Sequence, residues 1–209
     1  MKKIKFYRTG DEYGEFSNFS KHPIMLKGYI WKTVEHYFQS EKFDDYLVKD
    51  KIRDLKSPME AAIEGRNKNN SLKTNWESLK EDVMFEALKA KFTQHNSLKK
   101  LLLSTEDSII VEHTVNDSYW GNGGDGSGLN RLGELLMKTR EYIHKIHSDK
   151  DLIFPPWIAF PNVEENDLFW RMGLGEDYLL VWANYYNQIN KEEYHKIFPV
   201  PETWKDIFE

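Results

Sequence analysis

Asp117 to Leu136 reads DSYWGNGGDGSGLNRLGELL and holds six of the chain's 12 glycines. Ordered glycine loses more backbone freedom than any other residue, so a domain gathers it where tight turns or close backbone approach require it. The β-branched run SIIVEHTV (108–115) feeds this stretch, and Leu132, Leu135, Leu136, Thr139, Ile143 and Ile146 follow it at helical spacing. Strand, glycine loop and helix are therefore the unit that the rest of the chain must fold around. A glycine-rich segment opening a helix can wrap an anion in backbone N–H groups. This one matches neither a P-loop nor a dinucleotide-binding glycine pattern, so a nucleotide-hydrolase reading is weak. It does supply Asp117 as an acceptor, Trp120 as a stacking surface and donors around Gly121 to Asn130. Those suit a ligand with a flat ring, a sugar and a phosphate. A surface loop whose glycines only permit tight turns fits the same composition.

Upstream, IKFY is a candidate first strand, and Pro23 to Trp31 reads as a hairpin turning at Lys27-Gly28. A helix is predicted from Thr33 through VEHYFQSEKFDDYL. Ser57-Pro58-Met59-Glu60 carries a capping box and a first-turn proline, and its helix should stop near Gly65. Asn75 precedes a long helical pattern through Lys91, and a short helix follows around Leu98 to Leu103. The class is α+β, predominantly helical, with a few short strands. Near HSDKD (147–151) the texture changes: the last 60 or so residues hold four of seven tryptophans and five of seven prolines. We read a main domain over 1–147 and an aromatic, proline-rich C-terminal extension over 148–209, packed on it. The extension should carry a helix over Asp177 to Gln188 and another capped at Asn190.

Glu35, Gln39 and Lys42 sit at i, i+4 and i+7 of the VEHYFQSEKF pattern, bracketed by Val34, Tyr37, Phe38 and Phe43. On a continuous helix the Glu and Lys backbones would be separated by about 10.5 Å along the axis, so both side chains could reach one ligand. A proton-transferring carboxylate and a desolvated lysine are a pair for imine chemistry at a carbonyl carbon. An exposed face with a loose Glu–Lys contact has the same spacing and is the commoner outcome. No histidine spacing marks a metal site; His36 beside Glu35 belongs to no HExxH. The chain has no cysteine, which excludes disulfides, thiolate catalysis and Cys-ligated zinc. The net charge of −5 argues against duplex attachment as the main activity, and the lysines over 68–100 read as a solvated helical face. No apolar run has the length of a signal or a membrane span, so the expected setting is cytoplasmic.

Taken together and in order, FSNF (16–19), TVEHYFQSEKF (33–43), AAIEGR (61–66), the Trp76 helix with KFTQH (91–95), LLLST (101–105) and VEHTVNDSYWGNGGDGSGLNRLGELLMKTR (111–140) resemble the YbiA-like NADAR family. The resemblance covers essentially all of 1–147 and none of the extension. It implies a compact, largely helical α+β fold and an N-glycosidase with no metal in the catalytic step and no cofactor. Its substrate would be either a ribosylamino-pyrimidine intermediate of riboflavin synthesis or ADP-ribose attached to guanine in DNA. By position, Glu35 matches the family's acid and Lys42 the lysine implicated in a Schiff base with ribose. Asp117 matches the second acid, and Trp76 and Trp120 the pocket aromatics. Asn18, Phe19, Gly121, Asn130 and Arg140 match other motif positions, expected to contact substrate. A rival reading is a non-catalytic module that binds ADP-ribose or an NAD derivative. Another is an interaction module driven by the extension. Oligomeric state is open.

Overall fold

The computed structural model describes residues 2–207. Two compact units divide between Lys150 and Asp151. In the first, β1 (Lys3–Phe6) pairs in parallel with β4 (Ile109–Glu112), with Ile4 opposite Ile110 and Phe6 opposite Glu112. An antiparallel hairpin joins β2 (Ile24–Leu26) to β3 (Tyr29–Trp31). Its two-residue turn places Lys27 and Gly28 at φ 53° and 79°, the left-handed pair that matches strand twist.

Six helices complete this unit: α1 (Val34–Ser40), α2 (Tyr46–Asp54), α3 (Pro58–Glu64), α4 (Trp76–Gln94), α5 (Asn96–Leu103) and α6 (Arg131–Ile146). The capping box forms as the sequence requires: the Ser57 hydroxyl accepts from Glu60 N–H, and the Glu60 carboxylate accepts from Ser57 N–H. The long α4 packs on α6 and α1, and α6 packs on β4, so the apolar stripe after the glycine loop closes over the parallel strands. Phe43, Ile52 and Ala61 form a satellite cluster that ties α2 and α3 beneath α1.

The predicted single helix from Thr33 to Leu47 is instead two. The chain leaves α1 after Ser40 and re-enters helix at Tyr46, where the Asp45 carboxylate accepts from Leu47 N–H as an N-cap. The break has a tertiary cause. Glu41 is buried with Lys27 and Lys49 each at 2.9 Å and Lys73 at 3.7 Å. Phe43 bridges to Leu72 while the Lys42 carbonyl accepts from Lys73 N–H. A continued helix would swing all of these groups away.

The second unit holds α7 (Pro156–Ala159), α8 (Gly173–Tyr186) and α9 (Lys191–Ile197). Phe160 meets Phe169, Trp170 and Tyr178, and Trp182 stacks on Tyr186 at 4.9 Å. The Asn190 side chain caps α9 as its spacing predicts. No helix among the described residues is long and apolar enough to cross a membrane.

Candidate active site

Every residue of α1 is buried, which a seven-residue helix achieves only if its polar groups are met. Thr33 caps it, accepting from His36 N–H, and the Asn18 carbonyl accepts from Glu35 N–H at 3.1 Å. The FSNF segment that delivers Asn18 is held from below by Lys91. The Lys91 Nζ donates to the carbonyls of Glu15 and Ser17 and to Ser20 Oγ. Burial pushes the Lys91 amine down to about 7. The KFTQH motif thus positions the first turn of α1 through FSNF.

Glu35 is 7 % exposed, and its Oε1 accepts from Gln39 Nε2 at 2.7 Å. Burial raises its proton affinity above the ordinary carboxylate range, against the Gln39 bond and the charges of Lys42 and Arg66. Lys42 lies in the turn after α1, half-buried, with Nζ donating to the Gly65 carbonyl at 3.2 Å and 5.8 Å above the Phe38 ring. Burial lowers its basicity, Glu35 opposes that, and Arg66 adds to it. The acid and the amine therefore feel each other's charge. The turn brings them together, however, and the i, i+7 register of a continuous helix does not. Gly65 serves both partners: its carbonyl holds Lys42, and a Cβ there would sit 1.8 Å from Gln39 Oε1. Any side chain at 65 would dislodge the amide that holds Glu35.

The glycine loop is stitched to itself. Asn122 N–H donates to the Glu112 carbonyl, Gly123 N–H to Asp117, Gly126 and Gly128 N–H to Asn122, Leu129 N–H to Ser118 and Asn130 N–H to Gly121. Gly124 and Ser127 N–H are taken by the side chains of Asn122 and Asp125. The N–H groups of Asn122 to Gly124 and of Gly126 to Asn130 are engaged within the protein, which argues against the phosphate cradle expected there. Gly121 is required sterically, since a Cβ would meet Thr114 Cγ2 at 2.4 Å. Asp117 Oδ1 accepts from the N–H groups of Tyr119 and Trp120, both at 2.8 Å, so one of its oxygens shapes the loop. Asn130, at φ 54°, clamps the edge of β4: its Oδ1 accepts from Glu112 N–H and its Nδ2 donates to the Ile110 carbonyl.

The remaining expected residues divide. Trp120 is half-buried and packs edge-on against Phe38 at 5.4 Å. Trp76, expected as a pocket aromatic, is 4 % exposed and packed against Phe38 at 5.1 Å, so its ring is covered by protein. Asn18 keeps a buried Oδ1 without a hydrogen-bond partner, and Phe19 lines a cavity of about 740 Å³. Arg140 does not join them. It is 8 % exposed and donates to Thr105 Oγ1 and the Ser108 carbonyl, at the opposite end of β4 from Glu112. Its place in the motif reflects packing of α6 on the α5–β4 turn.

Two residues were missed. Arg66, from AAIEGR, is exposed, and its charge reaches both Glu35 and Lys42. Glu112 closes β4; burial first, then the charges of Asp117 and Glu35, raise its proton affinity to about 7. A sequence signal for Glu112 exists: it shares a strand face with Ile110, which is fully buried, so a carboxylate stands on an apolar face. Among the described residues, no group of three His, Cys, Asp or Glu is arranged to hold a metal ion.

A buried carboxylic acid, an amine of lowered basicity and two further carboxylates nearby are equipment for acid–base and nucleophilic chemistry. A family model described as the NADAR domain matches residues 5–144, and the chain belongs to that family. It is 55 % identical over 140 residues to N-glycosidase YbiA of Shigella flexneri serotype 5b, across 67 % of this chain and 88 % of that protein. It is 43 % identical over 155 residues to the chloroplastic riboflavin biosynthesis protein PYRR of Zea mays, across 67 % of this chain and 25 % of that one. The NMR structure of the E. coli protein YbiA matches with a TM-score of 0.65 at 53 % identity, over 70 % of this chain and 88 % of that chain. Residues 151–209 lie outside the family match.

Proposed function

We infer that this protein is an N-glycosidase, a hydrolase acting on N-glycosyl compounds, as family membership and 55 % identity to a protein of that name support. Its substrate is a small N-ribosyl compound, of the ribosylamino-pyrimidine phosphate kind. The riboflavin biosynthesis name of the maize relative and the net charge of −5 both favour this over ADP-ribosylated guanine in DNA. A flipped-out modified base needs only a local contact, so the DNA substrate stands as the second arm of the test.

The observation that carries the reading is the Glu35–Lys42 pair: burial raises the proton affinity of the acid and lowers the basicity of the amine, and each feels the other's charge. Cleavage of the bond between ribose C1′ and nitrogen sends the electron pair to nitrogen and leaves C1′ electron-poor. Glu35 exchanges protons at the sugar, and the neutral Lys42 amine adds to C1′ to form an imine with the opened ribose. Water then adds to that carbon and frees the amine. The net change is one water across the C1′–N bond, with hydrogen on the departing nitrogen and hydroxyl on C1′. Asp117 Oδ2 holds a ribose hydroxyl or the attacking water. Trp120 lends a ring to the base, and Arg66 meets the phosphate that the loop donors cannot. A non-catalytic binder would have no use for a depressed lysine beside a buried acid.

Parallel incubation with a ribosylamino-pyrimidine phosphate and with ADP-ribosylated DNA, followed by chromatography, tests the reading. Release of the pyrimidine is the expected result. Tight binding of both without release would favour the binding module. Borohydride added during turnover should leave a ribosyl adduct on Lys42; its absence would remove the imine step while leaving hydrolysis standing.

A further inference from the structure

The cavity of about 740 Å³ is lined by apolar groups of Tyr7, Phe19, Pro58 and Met59 and also by Glu112. Its volume lies within the range of pockets that enclose a small heterocycle. Trp76, expected as a pocket aromatic, is buried against Phe38, so the flat leaving group needs a different apolar wall. This cavity supplies one, between the FSNF segment and the first turn of α3. Glu112 is fixed in position by its backbone. Its N–H donates to Asn130, its carbonyl accepts from Asn122, and the strand is paired with β1. Its carboxyl, in contrast, makes no hydrogen bond or ion pair among the described residues. A carboxyl held rigidly by its main chain and left unpartnered at its tip is placed for a proton transfer rather than for stability.

We propose that this cavity receives the departing base and that Glu112 is the catalytic acid that protonates its nitrogen. The proposal rests on the N-glycosidase reading and divides the labour within it. As the C1′–N bond breaks, the electron pair stays on nitrogen and takes the Glu112 proton. Glu35 keeps the transfers at the sugar and Lys42. Water, on hydrolysing the imine, returns a proton to Glu112. The charged groups facing Glu112 set when it holds that proton. Glu35 on α1 and Asp117 in the loop favour the protonated form, as does burial. Arg8, Glu15, Lys21 and His22 also line the cavity.

The test is the dependence of turnover on leaving-group basicity, in wild type and in Glu112→Gln, which keeps the shape and removes the proton. For a strongly basic leaving nitrogen the variant should lose about 10²- to 10⁴-fold in turnover, the range of a general acid. The loss should shrink steadily as the leaving group becomes less basic. In wild type, turnover of the basic substrate should fall as pH rises through about 7, where Glu112 gives up its proton, and that limb should vanish in the variant. An equal loss for every leaving group, or a limb that persists in Glu112→Gln, overturns the assignment. If the variant does not fold, wild type alone decides, because the limb must be present for the basic leaving group and absent for the weakly basic one. Wild type that releases no base from any N-riboside sinks the N-glycosidase reading itself. Wild type that releases base at a rate flat across pH 7 sinks only the role of Glu112.

Discussion

The wall built from α1 and the wall built from the glycine loop use their polar groups in opposite ways. Around α1, main-chain groups are satisfied by Thr33 and Asn18, while Glu35 and Lys42 each make a single hydrogen bond among the described residues, to Gln39 and Gly65. In the loop, the N–H groups of Gly123, Gly124 and Gly126 through Asn130 are taken up by the loop's own carbonyls and side chains, and that of Asn122 by the Glu112 carbonyl. The glycine-rich segment, which looks most like a ligand cradle in sequence, is a rigid frame. The buried helix, whose acid and amine could pass for a solvated face, holds the under-partnered chemistry. Glycine content therefore reports backbone geometry, and incomplete pairing of a buried ionisable group is the better guide to function.

The largest effects should come from the helix wall. Lys42→Ala should abolish base release, and Glu35→Gln should lower it by about 10²- to 10⁴-fold. Both should keep the wild-type circular dichroism spectrum, since Gln keeps the shape of the buried Glu35 and Lys42 is only half-buried. Loss of spectrum would mean that the pair is structural. Gly65→Ala comes next. Displacing Gln39 from Glu35 removes a hydrogen bond worth about 1.5 kcal/mol, roughly tenfold in turnover. Because that bond lowers the proton affinity of Glu35, the acidic feature of the pH profile should also move to higher pH. An unshifted profile would detach Gly65 from the acid.

Asn130→Ala probes the frame. Leaving Glu112 N–H and the Ile110 carbonyl unmet should cost about 2 kcal/mol of stability, read from chemical denaturation. Asn130→Gly retains the left-handed backbone and should fall between Ala and wild type. The smallest effect belongs to the loop tip. Asp125→Ala should leave KM and melting temperature within scatter, since the Asp125 side chain is exposed and, among the described residues, bonds Ser127. A raised KM for phosphorylated substrates would restore the cradle that the loop's internal bonding argues against.

How much was legible follows from where each signal resides. The hairpin, the capping box at Ser57, the strand before the loop and the stripe after it are written in local residues, and all form where local rules put them. The break at Glu41 was not legible, because lysines at 27, 49 and 73 cause it and no local pattern announces their convergence. Motif matching located Trp76 and Arg140 but could not tell a ligand contact from a packing contact, a distinction that burial and hydrogen bonds make. Glu112 was overlooked for the reverse reason: a lone strand carboxylate passes for a solvent-facing one until its face is known.

The Glu41 knot also acts at a distance. Since a turn and not a helix carries Lys42, the reach between acid and amine depends on three lysine contacts to Glu41, made apart from the Glu35–Lys42 pair itself. Added electrolyte, or a substitution on the hairpin far from the ribose, would loosen that anchorage and let the amine drift. Among related chains, exchanges at these outlying lysines are a route by which reactivity could be retuned while every substrate-facing residue stays the same.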